Sequence, residues 1–321
     1  MLDLALANLL SPIVLSFVLG LGAALARSDL AVPEAVAKGI SIYLLFAIGF
    51  KGGASLAEHG IDLKLGLTLL MGVVLSFSLP LLGFALLRLL SGMSRTDAAA
   101  VAGHYGSISI VTFVAATTVL ADAGLSSEGY MVAVAAAMEA PAILSALWLI
   151  SRGSDQTEMS ADLWREILLN GSIVLLLGAF VIGIATGAEG LSRIESFIVS
   201  PFQGVLCLFL LDMGLIAGRG LRKADVLDRG AIGFGVLMPL LGAGAGLLAS
   251  LVVGLSAGGT MLLMTLSASA SYIAVPAAMR VAVPQANPSI YLTLSLAVTF
   301  PFNLVLGLPI YLTVAKTVIG S

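Results

Sequence analysis

Hydroxyls, glycines and one carboxylate carry the chemistry this sequence offers. One group lies in the stretch AGHYGSISIVT, residues 102–112, with Gly103, Gly106, Ser107, Ser109 and Thr112. A second lies in SASAS, with Ser267, Ser269 and Ser271, followed by Pro276. Glycine lets a helix unwind, and serine caps the helix that restarts. A restarted N-terminus carries roughly +0.5 elementary charge and free N–H groups, which together with hydroxyls suit a small anion. Two such ends facing each other supply about one positive charge without a lysine or arginine. The third piece is Glu139 in AAAMEAPAIL, just before Pro141. A carboxylate beside carbonyl oxygens is a hard-cation ligand or a proton carrier, and Asn303, two residues after Pro301, is a candidate for the same coupling-ion cluster. A protonated glutamate bonded to unwound backbone is the structural alternative for Glu139. His104 can either contact substrate or bond a neighbouring helix.

These residues sit in apolar surroundings. The chain has 321 residues, 59% hydrophobic and 10% charged, with mean hydropathy +1.11. Soluble domains carry about 25% charged residues, so the solvent here is lipid. A spanning helix needs about 20 apolar residues, and ten candidates follow: 7–26, 33–50, 64–90, 96–121, 129–151, 166–186, 194–217, 230–254, 258–280 and 288–315. The expected fold is an all-α integral membrane protein. Unwound backbone at membrane depth survives only where it lines a cavity or site, so breaks near the centres of spans 4 and 9 mark the site.

Arg27, Lys38, Arg88, Arg95, Arg152, Arg165, Arg219, Arg222, Lys223, Arg229 and Arg280 fall in the odd-numbered loops; Lys51, Lys64, Arg193 and Lys316 fall on the other side. The positive-inside rule then puts the odd loops in the cytoplasm and both termini outside. The N-terminus has no lysine or arginine before its first apolar run, which favours a retained helix over a cleaved signal peptide. A net charge of −3 gives no sign of nucleic-acid binding. Cys207 is the single cysteine and cannot form an internal disulfide.

The chain also repeats itself. SPIVLSFVLGLGAALA from Ser11 matches GSIVLLLGAFVIGIAT from Gly171, IYLLFAIGFKGG from Ile42 matches LCLFLLDMGLIAG from Leu206 with a one-residue slip, and AMEAPAILSALWLI from Ala137 matches AVTFPFNLVLGLPI from Ala297. The two serine-rich breaks are mates in the same register. Five spans per copy is odd, so the second copy enters from the opposite side: a five-plus-five inverted repeat with broken helices 4 and 9, the mark of secondary transporters. The expected organisation is a first repeat over 1–151, a short cytoplasmic linker over 152–165 and a second repeat over 166–321. No nucleophile elbow, Walker loop, dinucleotide fingerprint or metal-ligand spacing occurs in the sequence. The reading is therefore a transporter without a cofactor, not an enzyme, drawing on an ion gradient.

At these motifs the sequence resembles the sodium-dependent bicarbonate permease family (SbtA). MRVAVPQANPSIY at 279–291 is similar to that family's arginine, proline and ANPS sequence; TDAAAVAGHYGSISIVT keeps Asp97, Gly103, Gly106, Ser109 and Thr112 of its span-4 motif; MEAPA places Glu139 where the family tends to have aspartate. The resemblance implies sodium-coupled bicarbonate uptake through the inner membrane, a core domain moving against a gate domain, and a homotrimer. Tyr272 stands at the position of a family aspartate, and Ile110 and Val111 replace a glycine and a serine. The linker over 152–165 is shorter than the loop that would dock a PII-like regulator. A sodium symporter of a larger organic anion, of the bile-acid type, and an anion channel are the alternatives.

Overall fold

Apolar helices with short polar breaks fold as expected into a helical bundle. The computed structural model describes residues 10–60, 62–151, 171–222, 227–272 and 285–320, with Leu169, Val275, Pro276, Ala278, Met279 and Val283; no strand occurs among them. The helices are α1 (Pro12–Leu25), α2 (Glu34–His59), α3 (Leu63–Leu90), α4 (Arg95–Gly106), α5 (Ile110–Asp122), α6 (Met131–Ala137), α7 (Glu139–Ser151), α8 (Gly171–Ile198), α9 (Phe202–Leu221), α10 (Arg229–Val253), α11 (Ala257–Ala268) and the composite α12 (Pro288–Ile319). Among the described residues, eight helical stretches are long and apolar enough to cross a membrane; α1 and α11 are apolar but shorter. The linker at 152–165 lies outside the described residues.

Two loop expectations are corrected. FKGGASLAEHG continues α2 to His59, and GAEGLSR lies within α8, which runs to Ile198 through a kink at Gly187 (φ 59°). The next helix therefore starts at Phe202 rather than near residue 194. In both segments glycine permits a turn without requiring one. Gly53 serves close approach instead: a Cβ there would stand 1.9 Å from the Phe180 carbonyl oxygen of α8. Span 10 also departs from a plain helix, with wide turns at Leu294–Thr299 and Asn303–Gly307 on either side of Pro301. Proline has no N–H to give, and one-residue insertions of this kind accommodate the lost bond.

Packing is reciprocal between the two halves. α2 lies along α8 and α1 along α9. In the first pair Gly49 and Gly53 meet the backbone of Leu176 and Phe180, and Gly183 meets that of Phe50. In the second, Gly20 meets Leu211, and Gly214 and Gly218 meet Phe17 and Leu21. Small residues at four-residue spacing let membrane helices approach backbone to backbone. The remaining helices form the core: α3 packs on α4, α7 and α10, and α11 packs on α10, α5 and α12. Leu70, Val74 and Phe77 of α3 and Leu248 and Val252 of α10 face outward, as a lipid-facing surface requires.

Surface charges add little. The one ion pair among the described residues is exposed, Arg193 to Glu189 at 2.6 Å. Glu34 and Lys38, at i,i+4 spacing, do not form one.

Candidate functional site

The two serine-rich stretches interrupt their helices and meet. α4 ends at Gly106, Ser107 is extended (φ −93°, ψ 156°), and Ser109 caps α5. Helix persists through Gly103 and Gly106, so the break is Ser107–Ser109 and α5 starts at Ile110. α11 ends at Ala268 and Ser269 is extended (φ −86°, ψ 163°). The breaks are bonded crosswise: the Ser109 N–H donates to Ser269 Oγ (2.9 Å), and the Ser271 N–H donates to the His104 carbonyl (2.7 Å). The Ser269 hydroxyl itself donates to the Leu266 carbonyl (2.9 Å).

Around the crossing the donors outnumber their acceptors. Ser109 Oγ accepts from the Thr112 amide (3.2 Å) and the Thr112 hydroxyl (2.9 Å). The first two N–H groups of α5, at Ile110 and Val111, have no acceptor within their own helix. Ser107 Oγ, Ser267 Oγ and the Tyr272 hydroxyl are buried without a hydrogen-bond partner. Tyr272 lies beside Ser109, outside hydrogen-bonding geometry. Leaving a buried polar atom unmet costs about 1–3 kcal/mol, so such atoms gathered at one place mark a candidate binding site. His104 Nδ1 lies 2.7 Å from the Ala100 carbonyl; a carbonyl only accepts, so Nδ1 carries the proton. Its ring stacks on Tyr291 at 4.5 Å, and Nε2 has no partner.

Other predicted residues frame the crossing. Asn303 donates from Nδ2 to the Ala268 carbonyl (2.8 Å) at the end of α11, and accepts at Oδ1 from Tyr311 (2.8 Å). It is thereby a bracket for the second break. Gly103 faces Ala146 of α7, and Gly106 faces Pro80 and the Ser76 carbonyl of α3, so their missing side chains serve helix contact. Ser76 in turn donates its hydroxyl to the Met138 carbonyl, at the interruption between α6 and α7. Glu139 follows directly, 6% exposed, with Oε2 unpartnered. No hydrogen bond joins Glu139 to Asn303 among the described residues. No group of three or more His, Cys, Asp or Glu side chains able to hold a metal occurs among them either.

Sequence reasoning did not foresee two ties between the halves. Asp97 Oδ2 accepts from the Ser94 hydroxyl (2.7 Å), and Oδ1 from the Asn287 N–H (2.8 Å), joining the start of α4 to the start of α12. Asn287 itself caps α12 through Ser289 N (3.0 Å). At α11, Glu128 accepts from the Ser256 N–H (2.8 Å) and hydroxyl (2.9 Å). The S-x-x-D spacing at Ser94–Asp97 is a helix-start signal that could have drawn attention to the first. Asp97→Ala removes two bonds and a favourable charge at a helix N-terminus. It should destabilise the protein by about 1–3 kcal/mol, read as an earlier thermal unfolding transition in detergent.

Interrupted helices meeting inside a bundle of apolar helices define a multi-pass membrane transporter. The chain belongs to the Na+-dependent bicarbonate transporter superfamily, whose family model matches residues 12–316; it is accordingly not an enzyme. No curated protein matches the chain closely enough to count as a relative.

Proposed function

We propose that this protein is a sodium-coupled symporter that takes up bicarbonate, bound where the breaks of span 4 and span 9 cross. The observation that carries this reading is the surplus of buried donors there: Ser107, Ser267, Tyr272 and the first N–H groups of α5. Bicarbonate is a small monovalent oxyanion whose oxygens can accept them, and the helix ends supply charge. Gly103, Gly106, Ser107, Ser109, Thr112, Ser267, Ser269 and Ser271 make up the proposed substrate region; Glu139 with Asn303 forms the proposed sodium side.

The ten-span inverted repeat is supported by the reciprocal pairing of α1 with α9 and α2 with α8, and by α1 and α11 as the two shorter apolar helices. Both termini outside, an inner-membrane location and a homotrimer complete the proposal. The competing substrate is a larger organic anion, favoured by apolar Ile110 and Val111 in the first turn of α5.

Isotope uptake into proteoliposomes separates the readings, with bicarbonate against a panel of organic anions and a sodium against a proton gradient. Uptake of bicarbonate dependent on sodium is the expected result; uptake of an organic anion alone overturns it. In the same assay Ser109→Ala with Ser271→Ala should lower uptake at least tenfold, since each hydroxyl is worth about 1–3 kcal/mol, with expression unchanged. Wild-type uptake by that double variant removes these residues from the site.

A further inference from the structure

The strongest feature outside the crossing is a cavity of about 190 Å³ between α2 and the core. Its wall includes Lys51 and Ser55 of α2, Thr117 of α5, Glu128 and Gly129 before α6, and Phe202 of α9. We propose that this cavity is a second anion site, in which Lys51 holds a small monovalent oxyanion before it passes to the crossing. The direction of passage rests on the orientation proposed above, which places this end of α2 outside.

Lys51 is half-buried, with its ammonium 4.9 Å from the Phe202 ring centroid. An ammonium has three donors, and the ring occupies one side of it. Lys51 forms no ion pair among the described residues. Glu128 is the carboxylate on the cavity wall, but both its oxygens are engaged by Ser256 at the start of α11. That helix N-terminus offsets its negative charge. The cavity wall therefore carries one cation that forms no ion pair among the described residues and one carboxylate whose oxygens are turned to Ser256. Phe113, on the same wall, is the neighbour in sequence of Thr112 at the crossing.

The repeat-related cavity makes an instructive contrast. It measures about 210 Å³, between α9 and α12, and Ile216 stands there at the register position of Lys51. Its basic residue, Arg219, already donates to the Leu30 carbonyl (3.0 Å) and lies in the field of Asp212. Among the described residues the unpaired cation thus belongs to one of the two repeat-related cavities and not to both, as expected of a site that gathers anion from one side.

The test labels the purified protein with isotopic acetic anhydride and reads each lysine by mass spectrometry. At a concentration about ten times the dissociation constant, bicarbonate should slow labelling of Lys51 about tenfold, with or without sodium, while Lys38, Lys64 and Lys316 are unaffected. Nitrate should do the same, and it cannot form a carbamate with the amine. Gluconate at equal ionic strength should not protect. In proteoliposomes Lys51→Gln should raise KM about tenfold with maximal rate within about twofold, and Lys51→Arg should restore most of the loss. Absence of protection by both small anions, or equal protection by gluconate, overturns the site. Protection by nitrate without bicarbonate transport supports this site and refutes the substrate reading instead.

Discussion

Glu139→Gln should abolish gradient-driven accumulation while the protein still inserts, folds and exchanges anion across the membrane. Glu139 is buried at the interruption between α6 and α7, with one carboxylate oxygen unpartnered. Ser76 connects that interruption to the crossing, its hydroxyl on Met138 and its carbonyl against Gly106. A charge buried in lipid surroundings is costly unless a partner meets it, and sodium is the partner proposed. Glutamine keeps the shape and one acceptor oxygen but removes the charge. With wild-type protein, a tenfold sodium gradient coupled one to one sustains about a tenfold bicarbonate gradient at zero membrane potential; with Glu139→Gln the ratio should fall to one. Wild-type accumulation by the variant would make the carboxylate structural, leaving carbonyls and hydroxyls as the cation's ligands.

The second large effect is expected from Gly53→Leu in α2. Even the first carbon of the new side chain would stand 1.9 Å from the Phe180 carbonyl oxygen and 2.8 Å from its carbon. That neighbour is backbone, so no rotamer change relieves the clash and the two helices must part along their length. Ordinary overpacking costs about 1–3 kcal/mol; a helix pair forced apart should lose more, seen as disappearance of the monodisperse peak in size-exclusion chromatography. Gly22→Ala in α1 and Gly178→Ala in α8 are the controls. Neither Cβ would have a neighbour within 4 Å, and removing glycine from a helix interior is neutral or favourable by up to about 1 kcal/mol. Equal behaviour of Gly53→Leu and the controls would show that the α2–α8 contact is loose.

Much of this was legible from residue types. The apolar runs placed the helices, and the serine clusters located both interruptions to within a few residues, because Ser109 caps by a local rule. What stayed hidden depends on partners far along the chain. Gly49 and Gly53 look like a turn in FKGG until α8 lies against them. The donors to Asp97 and Glu128 come from Asn287 and Ser256, 190 and 128 residues away. Lys51 weighs against the charge rule as a loop residue, yet it belongs to a helix and faces a cavity. The wide turns of α12 follow from Pro301, but nothing local to that proline says that they would occur on both sides of it.

The reciprocal pairing makes the two halves depend on each other. Residues 12–151 by themselves would present the glycine faces of α1 and α2, the Ser109 N–H and the carboxylates of Asp97 and Glu128, each lacking the element that completes it. The other half would lack the partners that the first half supplies to it. Neither half completes its contacts alone, and a change in one half is felt by the other.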